Sequence, residues 1–143
     1  MAISFTNHWK NIIDELQSVL ESEFKGALPV CLGDQPMHST QYIRLLPTSS
    51  EVLGFTTSSE EREYRVDVIF YFDGKIINET TMDHILRYVS RIEALIHNNI
   101  IMTLSDSTTA LNCRIQSTEL NTAVEGIYTV EMKWLCNYVG NIG

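Results

Sequence analysis

Residues 62–72 constrain the fold more than any other stretch. Tyr64, Val66, Val68, Phe70 and Phe72 alternate with Arg65 and Asp67, the period of two that sends successive side chains to opposite faces of a sheet. A chain carrying this pattern builds a sheet with one buried face and needs other elements to cover it. Ile69 and Tyr71, on the second face, imply that this face is partly covered as well. Residues 41–46 have β character too, so the two stretches are expected to pair as an antiparallel hairpin, with Pro47 ending the first strand by withdrawing a backbone donor. Between them, residues 47–61 are rich in Ser, Thr and Glu, with Val52, Leu53 and Phe55 as apolar punctuation. That is a long polar arm at the hairpin tip, and loops of this length inside compact domains are usually functional or mobile.

Two helices supply the cover. Trp9, Ile12, Ile13, Leu16, Val19 and Leu20 recur at helical spacing, with Thr6 as N-cap and Lys25-Gly26 as a C-terminal cation and glycine stop. Residues 81–98 form the second, with Thr80 and Asp83 as a capping box, an apolar stripe of Met82, Ile85, Leu86, Val89, Ile92 and Ile96, and Asn98-Asn99 as the stop. Residues 28–32 read as a short edge strand followed by the turn Gly33-Asp34-Gln35-Pro36, and Asp73-Gly74 marks another turn. Near the C-terminus, Leu111, Cys113 and Ile115 alternate with polar neighbours, as do Tyr128, Val130, Met132, Trp134, Cys136 and Tyr138, with the polar residues 117–126 as a second exposed tip. The expected fold class is α+β: a mostly antiparallel sheet with a long protruding hairpin and two main helices packed on one face.

At 143 residues, 44% hydrophobic and 20% charged, the chain is expected to form one domain over residues 1–143. No apolar run approaches the roughly 18–20 residues of a membrane span, and the N-terminus lacks a basic and apolar leader, so synthesis in a cytoplasm without membrane association is expected. The net charge of −8 comes with scattered cations, which argues against a tight grip on nucleic acid but suits a passage through which DNA slides.

No constellation for chemistry stands out. The sequence lacks a phosphate-binding glycine loop, a nucleophile elbow and a zinc-protease motif. His8, His38, His84 and His97 fall on different elements, and Asp83 and His84, adjacent on a helix, point about 100° apart. Cys31, Cys113 and Cys136 are widely spaced and read as reduced core thiols, Asn78-Glu79-Thr80 matches a glycosylation sequon of no weight without a leader, and Trp9 and Trp134 sit in core stripes. The run Glu60-Glu61-Arg62-Glu63 reads as a solvated strand entry, or as the wall of a repulsive channel or a basic partner's contact. The chain is expected not to be an enzyme and to need no metal or cofactor.

The stretch Tyr42-Ile43-Arg44-Leu45-Leu46-Pro47, the Ser/Thr/Glu arm, and Arg62-Glu63-Tyr64-Arg65-Val66-Asp67-Val68-Ile69-Phe70-Tyr71-Phe72 together resemble the tail terminator, or tail completion, proteins of tailed bacteriophages. The resemblance implies a structural virion protein that forms a homo-oligomeric ring, commonly a hexamer. Such a ring caps the tail tube, ends its polymerisation and takes part in head–tail joining at the neck, without catalysis or cofactor. It implies tail tube protein and a neck or connector protein as partners, with genome DNA passing the bore without specific binding. It also places the protein at the tail–neck junction of the virion, and in the host cytoplasm during assembly. By the same likeness, Ser49, Ser50, Glu51, Ser58, Ser59, Glu60 and Glu61 would contact the tube or the neighbouring subunit. A neck stopper or head–tail adaptor is the alternative within that assembly, and a small-molecule-binding α+β module the alternative from another class.

Overall fold

The computed structural model describes residues 5–33, 41–73, 79–124 and 127–141. The elements run α1 (His8–Phe24), β1 (Val30–Leu32), β2 (Gln41–Phe55), β3 (Ser59–Asp73), α2 (Glu79–His97), β4 (Met102–Thr103), β5 (Thr109–Val124) and β6 (Ile127–Asn141). One sheet of six strands has the order β1-β2-β3-β6-β5-β4; only β1 pairs in parallel, with β2. The α+β architecture with a mostly antiparallel sheet follows the sequence expectation. The turn positions Asp34, Gln35, Pro36 and Gly74, with His38 and Asn78, lie outside the described residues.

The period-two stretches face the helices as read from the sequence. Tyr64, Val66, Val68 and Phe70 of β3 lie beside Tyr128, Val130, Met132, Trp134, Cys136 and Tyr138 of β6, all buried. Ile12, Ile13, Leu16, Leu20 and Phe24 of α1 and Ile85, Val89, Ile92 and Ile96 of α2 close over them in the same core cluster. Arg91 of α2 ties the helices together, its Nε 3.0 Å from a Glu23 carboxylate oxygen and its guanidinium 4.7 Å from the Phe24 ring centre. Leu86 does not join the stripe; it is exposed.

Both helix starts differ from expectation. Asn7, not Thr6, caps α1: its side chain accepts from the Lys10 amide at 3.1 Å, while the Thr6 carbonyl accepts from His8 N–H. Thr80 and Asp83 already lie inside α2, so no capping box forms there, and Asp83 instead pairs with Arg87 one turn on, at 2.7 Å. At the ends, Lys25 takes the left-handed cap conformation (φ 49°) just before Gly26, and the Asn99 side chain donates to the Leu95 carbonyl at 2.8 Å.

The larger correction concerns strand length. Pro47 does not end β2, which runs on to Phe55. Ile43 and Leu45 turn their backbone groups toward β1, the Ile43 amide donating to Pro29 and the Leu45 carbonyl accepting from Gly33. By alternation the next such position is Pro47, where β1 has stopped, so the missing N–H faces away from the sheet and removes no ladder bond. A register shift between Pro47 and Ser49 follows, and β2 keeps pairing with β3 to the tip. Residues 117–124 are likewise strand: β5 pairs with β6 along this stretch rather than forming a long loop. Asn112 (φ 53°) sits in a register shift between Leu111 and Arg114, which leaves Leu111 exposed while Ala110 and Cys113 are buried.

Candidate assembly surface

Beyond the helices, the β2–β3 hairpin carries on as a bare two-sided ribbon flanked by the end of β6. Burial on β2 stops after Leu45 and begins on β3 only at Tyr64. A tight turn closes the tip: Thr56 N–H donates to the Ser59 carbonyl at 2.7 Å, and the Thr56 hydroxyl accepts from Ser59 N–H at 3.1 Å. The seven residues singled out from the sequence all fall on this ribbon, but on different faces. Register puts Ser50 opposite Tyr64 on the helix side, with Glu60 sharing that face, whereas Ser49, Glu51 and Glu61 alternate to the helix-free face and Ser58 lies in the turn.

Charge dominates the helix-free face. Glu51 lies directly opposite Glu63, and further along the sheet Glu119 lies directly opposite Glu131. Like charges in cross-strand pairs are destabilising, and the cations present answer only part of this. Arg65 reaches Glu63 at 2.6 Å, and Lys133 reaches Asp67 at 3.1 Å and Glu131 at 3.9 Å. An open hollow of about 290 Å³ lies between Thr48, Arg65, Asp67, Gln116 and Lys133.

On the helix side of the ribbon, Arg62 is held by Glu60 at 2.5 Å and by the Ser50 hydroxyl at 3.0 Å. The hydrogen bond to Glu60 pushes the Arg62 guanidinium further up from its ordinary value. Val52 and Phe55 share this face and are exposed, Phe55 to 79%; Leu53 is exposed next to Val52 in the chain, and Val139, opposite Glu61, is exposed on the helix-free face. The polar composition of the arm masked this apolar tip, and no sequence periodicity marks it: Val52 and Phe55 stand three residues apart and share a face only through the register shift between Val52 and Gly54. The end of α1 sits at this same end of the sheet: His8 packs on Tyr138 (4.9 Å between ring centres) and Trp9 on Tyr64 (5.6 Å).

Among the described residues both margins of the sheet are mostly open: β1 pairs there with Ile43, Arg44 and Leu45 of β2, and β4 with Thr109 and Ala110 of β5. The loop after α2 adds one more bond, Cys113 N–H to the Ile100 carbonyl at 2.9 Å, and among the described residues no strand besides β4 and β6 pairs with β5.

The residues with chemical potential are engaged structurally. His84 makes a 2.9 Å hydrogen bond with the Gln41 side chain and packs on Phe72 and Tyr88, with ring centres 5.0 and 4.7 Å away. Cys31, Cys113 and Cys136 are buried free thiols; the hydrogen bond that the Cys136 thiol donates to Cys113, together with burial, pushes the Cys136 thiol up. Among the described residues no three His, Cys, Asp or Glu side chains gather around a point where a metal ion could sit, and no helix is long and apolar enough to cross a membrane.

No family model matches the sequence, and no curated protein matches it. Among solved structures, the chain is similar in fold to one from the virion of a native gene transfer agent particle, with 13% identity, a TM-score of 0.51, and coverage of 92% of this chain and 94% of that one. A second solved structure is similar at 15% identity and a TM-score of 0.60, over 96% of this chain and 97% of that one.

Proposed function

We propose that this chain is a non-catalytic structural protein of a tailed-phage-type virion that assembles into a ring at the tail–neck junction, ends tube polymerisation and joins the tail to the neck. The observation that carries this reading is the fold likeness over nearly the whole of both chains to a component of a gene transfer agent virion. The sheet's charge distribution fits. In a ring whose helices face outward, the helix-free face with Glu51, Glu61, Glu63, Glu119 and Glu131 lines the bore, and a wall of net negative charge lets DNA pass without adhering. The ribbon tip, with Phe55 and Val52 flanking the polar residues, supplies apolar anchors inside a polar rim, the composition of a protein contact.

Light scattering on the purified chain, alone and mixed with tail tubes, tests the proposal. A ring-sized oligomer that binds tube ends, together with tails of uncontrolled length when the gene is deleted, is the expected result. A strict monomer indifferent to tubes, with normal tails in its absence, overturns it.

A further inference from the structure

We infer that copies of this chain join by antiparallel strand addition, the open edge of β2 pairing with the open edge of β5 on the next copy. The inference rests on the ring reading for closure but not for the ring's place in a tail. Three features of the sheet carry it.

The first is direction. The four long strands lie in the order β2-β3-β6-β5, each antiparallel to the next, so β5 runs opposite to β2. Repeating this unit around an axis sets β5 of one copy beside β2 of the next with the alternation unbroken. The pleat continues as well. Backbone groups of Arg114, Ser117 and Glu119 face β6 by register, so those of Thr118 and Leu120 face outward, just as the neighbouring Cys113 amide does toward Ile100. On β2 the outward backbone positions are Ser50, Val52 and Phe55. Side chains at all these outward positions lie on the helix side, as residues paired across one ladder must.

The second is height. The open part of β2 is centred near Glu51, level with Asn137 of β6 through Glu63; that of β5 is centred near Glu119, level with Glu131. Six residues of β6 separate these levels, about 20 Å at ~3.4 Å per residue. Flat side-by-side copies would therefore miss each other. Four strands span about 19 Å, and closing them into a ring with strands tilted roughly 35–45° staggers successive copies by roughly 13–19 Å. The offset is close to the stagger that closure needs.

The third is chemistry. Leu120 and Val52 are exposed to 42% and 41% at the two edges, on the same face, and pairing buries both. A head-to-tail contact also covers both open edges at once, whereas a two-fold contact through either edge leaves the other bare.

Single variants Val52→Cys and Leu120→Cys, treated with a short bifunctional maleimide at up to millimolar protein, read the contact directly. A V52C and L120C mixture is expected to give cross-linked dimers, the V52C/L120C double variant a ladder of multimers, and each single variant alone monomer. Thr118→Pro removes an outward donor and no bond to β6, and Leu120→Lys places a charge on the edge without touching the backbone. Each is expected to keep the circular dichroism spectrum and to weaken self-association at least tenfold in sedimentation velocity. Rings that persist unchanged in both variants, or homotypic cross-links in a single variant, overturn strand addition while leaving the ring reading intact. A protein monomeric throughout, with no heterotypic cross-link, overturns both.

Discussion

Glu119→Lys is expected to stabilise the isolated subunit. Glu119 faces Glu131 directly across the β5–β6 ladder, and Lys133, the nearest cation, stands 3.9 Å from Glu131 while it also serves Asp67 at 3.1 Å. Cross-strand charge pairs are worth roughly 0.2–1 kcal/mol, and a like-charged pair is unfavourable by a similar amount. Because both residues are solvent-accessible, the swing from repulsion to attraction is discounted to about 0.5–1 kcal/mol. For a chain of this length that corresponds to a rise in Tm of about 2–4 °C. Glu119→Gln, which removes the repulsion without adding attraction, should give about half as much. Thermal melts at low salt measure the effect, and a repeat near 1 M salt, where the screening length is about 3 Å, should shrink it strongly. If neither variant raises Tm at low salt, the facing carboxylates do not repel one another at this site, and the account of the helix-free face as a destabilising concentration of negative charge fails.

Three further outcomes follow from the packing. Gly140→Ala should destabilise by about 1–3 kcal/mol, because its Cβ would stand 2.8 Å from the Tyr138 ring and 2.9 Å from His8 Nε2, and the Tyr138 ring is pinned by its hydroxyl to Thr108; urea titration reads the loss, and His8→Ala in the same background should recover part of it. Trp134→Ala, at a position 1% exposed, should cost about 3–5 kcal/mol, enough to abolish a sharp cooperative melt in a domain of ordinary stability. Asp106, whose carboxylate accepts from the Thr108 hydroxyl and, at 3.1 Å, from the Thr108 amide, is held below its ordinary value by those bonds. A depressed folded-state value means its stabilisation is present above the ordinary carboxylate range and lost as pH falls through the folded value, so Asp106→Asn should be less stable than the parent at pH 7 and converge with it in strong acid. A constant gap at all pH values would contradict this.

The core was legible because period two and period 3.6 are local signals: Tyr64 to Phe70, Tyr128 to Tyr138 and the Ile12–Leu20 stripe each follow from residue spacing alone. What the sequence hid depends on neighbours. Pro47 reads as a strand end because a proline removes a donor, yet that loss is harmless once β1 has stopped at Leu32 and the position faces outward. The polar residues 117–121 read as a loop because their side chains bury little, but their ladder to β6 is made by backbone groups that carry no side-chain signature. Leu111 was assigned inward by alternation, and one residue in the left-handed region, Asn112, moved it to the other face. At the surface, the Ser and Glu residues of the arm lie along the ribbon, and Val52 and Phe55, read from the sequence only as apolar punctuation, stand exposed among them, since exposure of an apolar side chain is a property of the fold.

The features that cost the free subunit stability are arranged together. Facing glutamates lie on the helix-free side, apolar side chains stand exposed at the ribbon tip and along both edges, and among the described residues no strand pairs with the outer margins of β2 beyond Leu45 and of β5 beyond Ala110. A monomer that worked alone would gain from losing each of them by single substitutions, such as Lys at Glu119 or a polar residue at Phe55. A head-to-tail ring changes the balance at each place: the margins pair, Val52 and Leu120 meet, and the carboxylates face a water-filled passage wide enough to solvate them. The charge and the edges are therefore coupled predictions. If strand addition through β2 and β5 is right, Glu119→Lys should raise the melting temperature of the dissociated subunit and still leave cross-linking between V52C and L120C intact, because Glu119 directs its backbone to β6 and its side chain to the bore. Loss of that cross-link in a better-folded Glu119→Lys protein would mean that the acidic face, and not the strand edge, makes the contact.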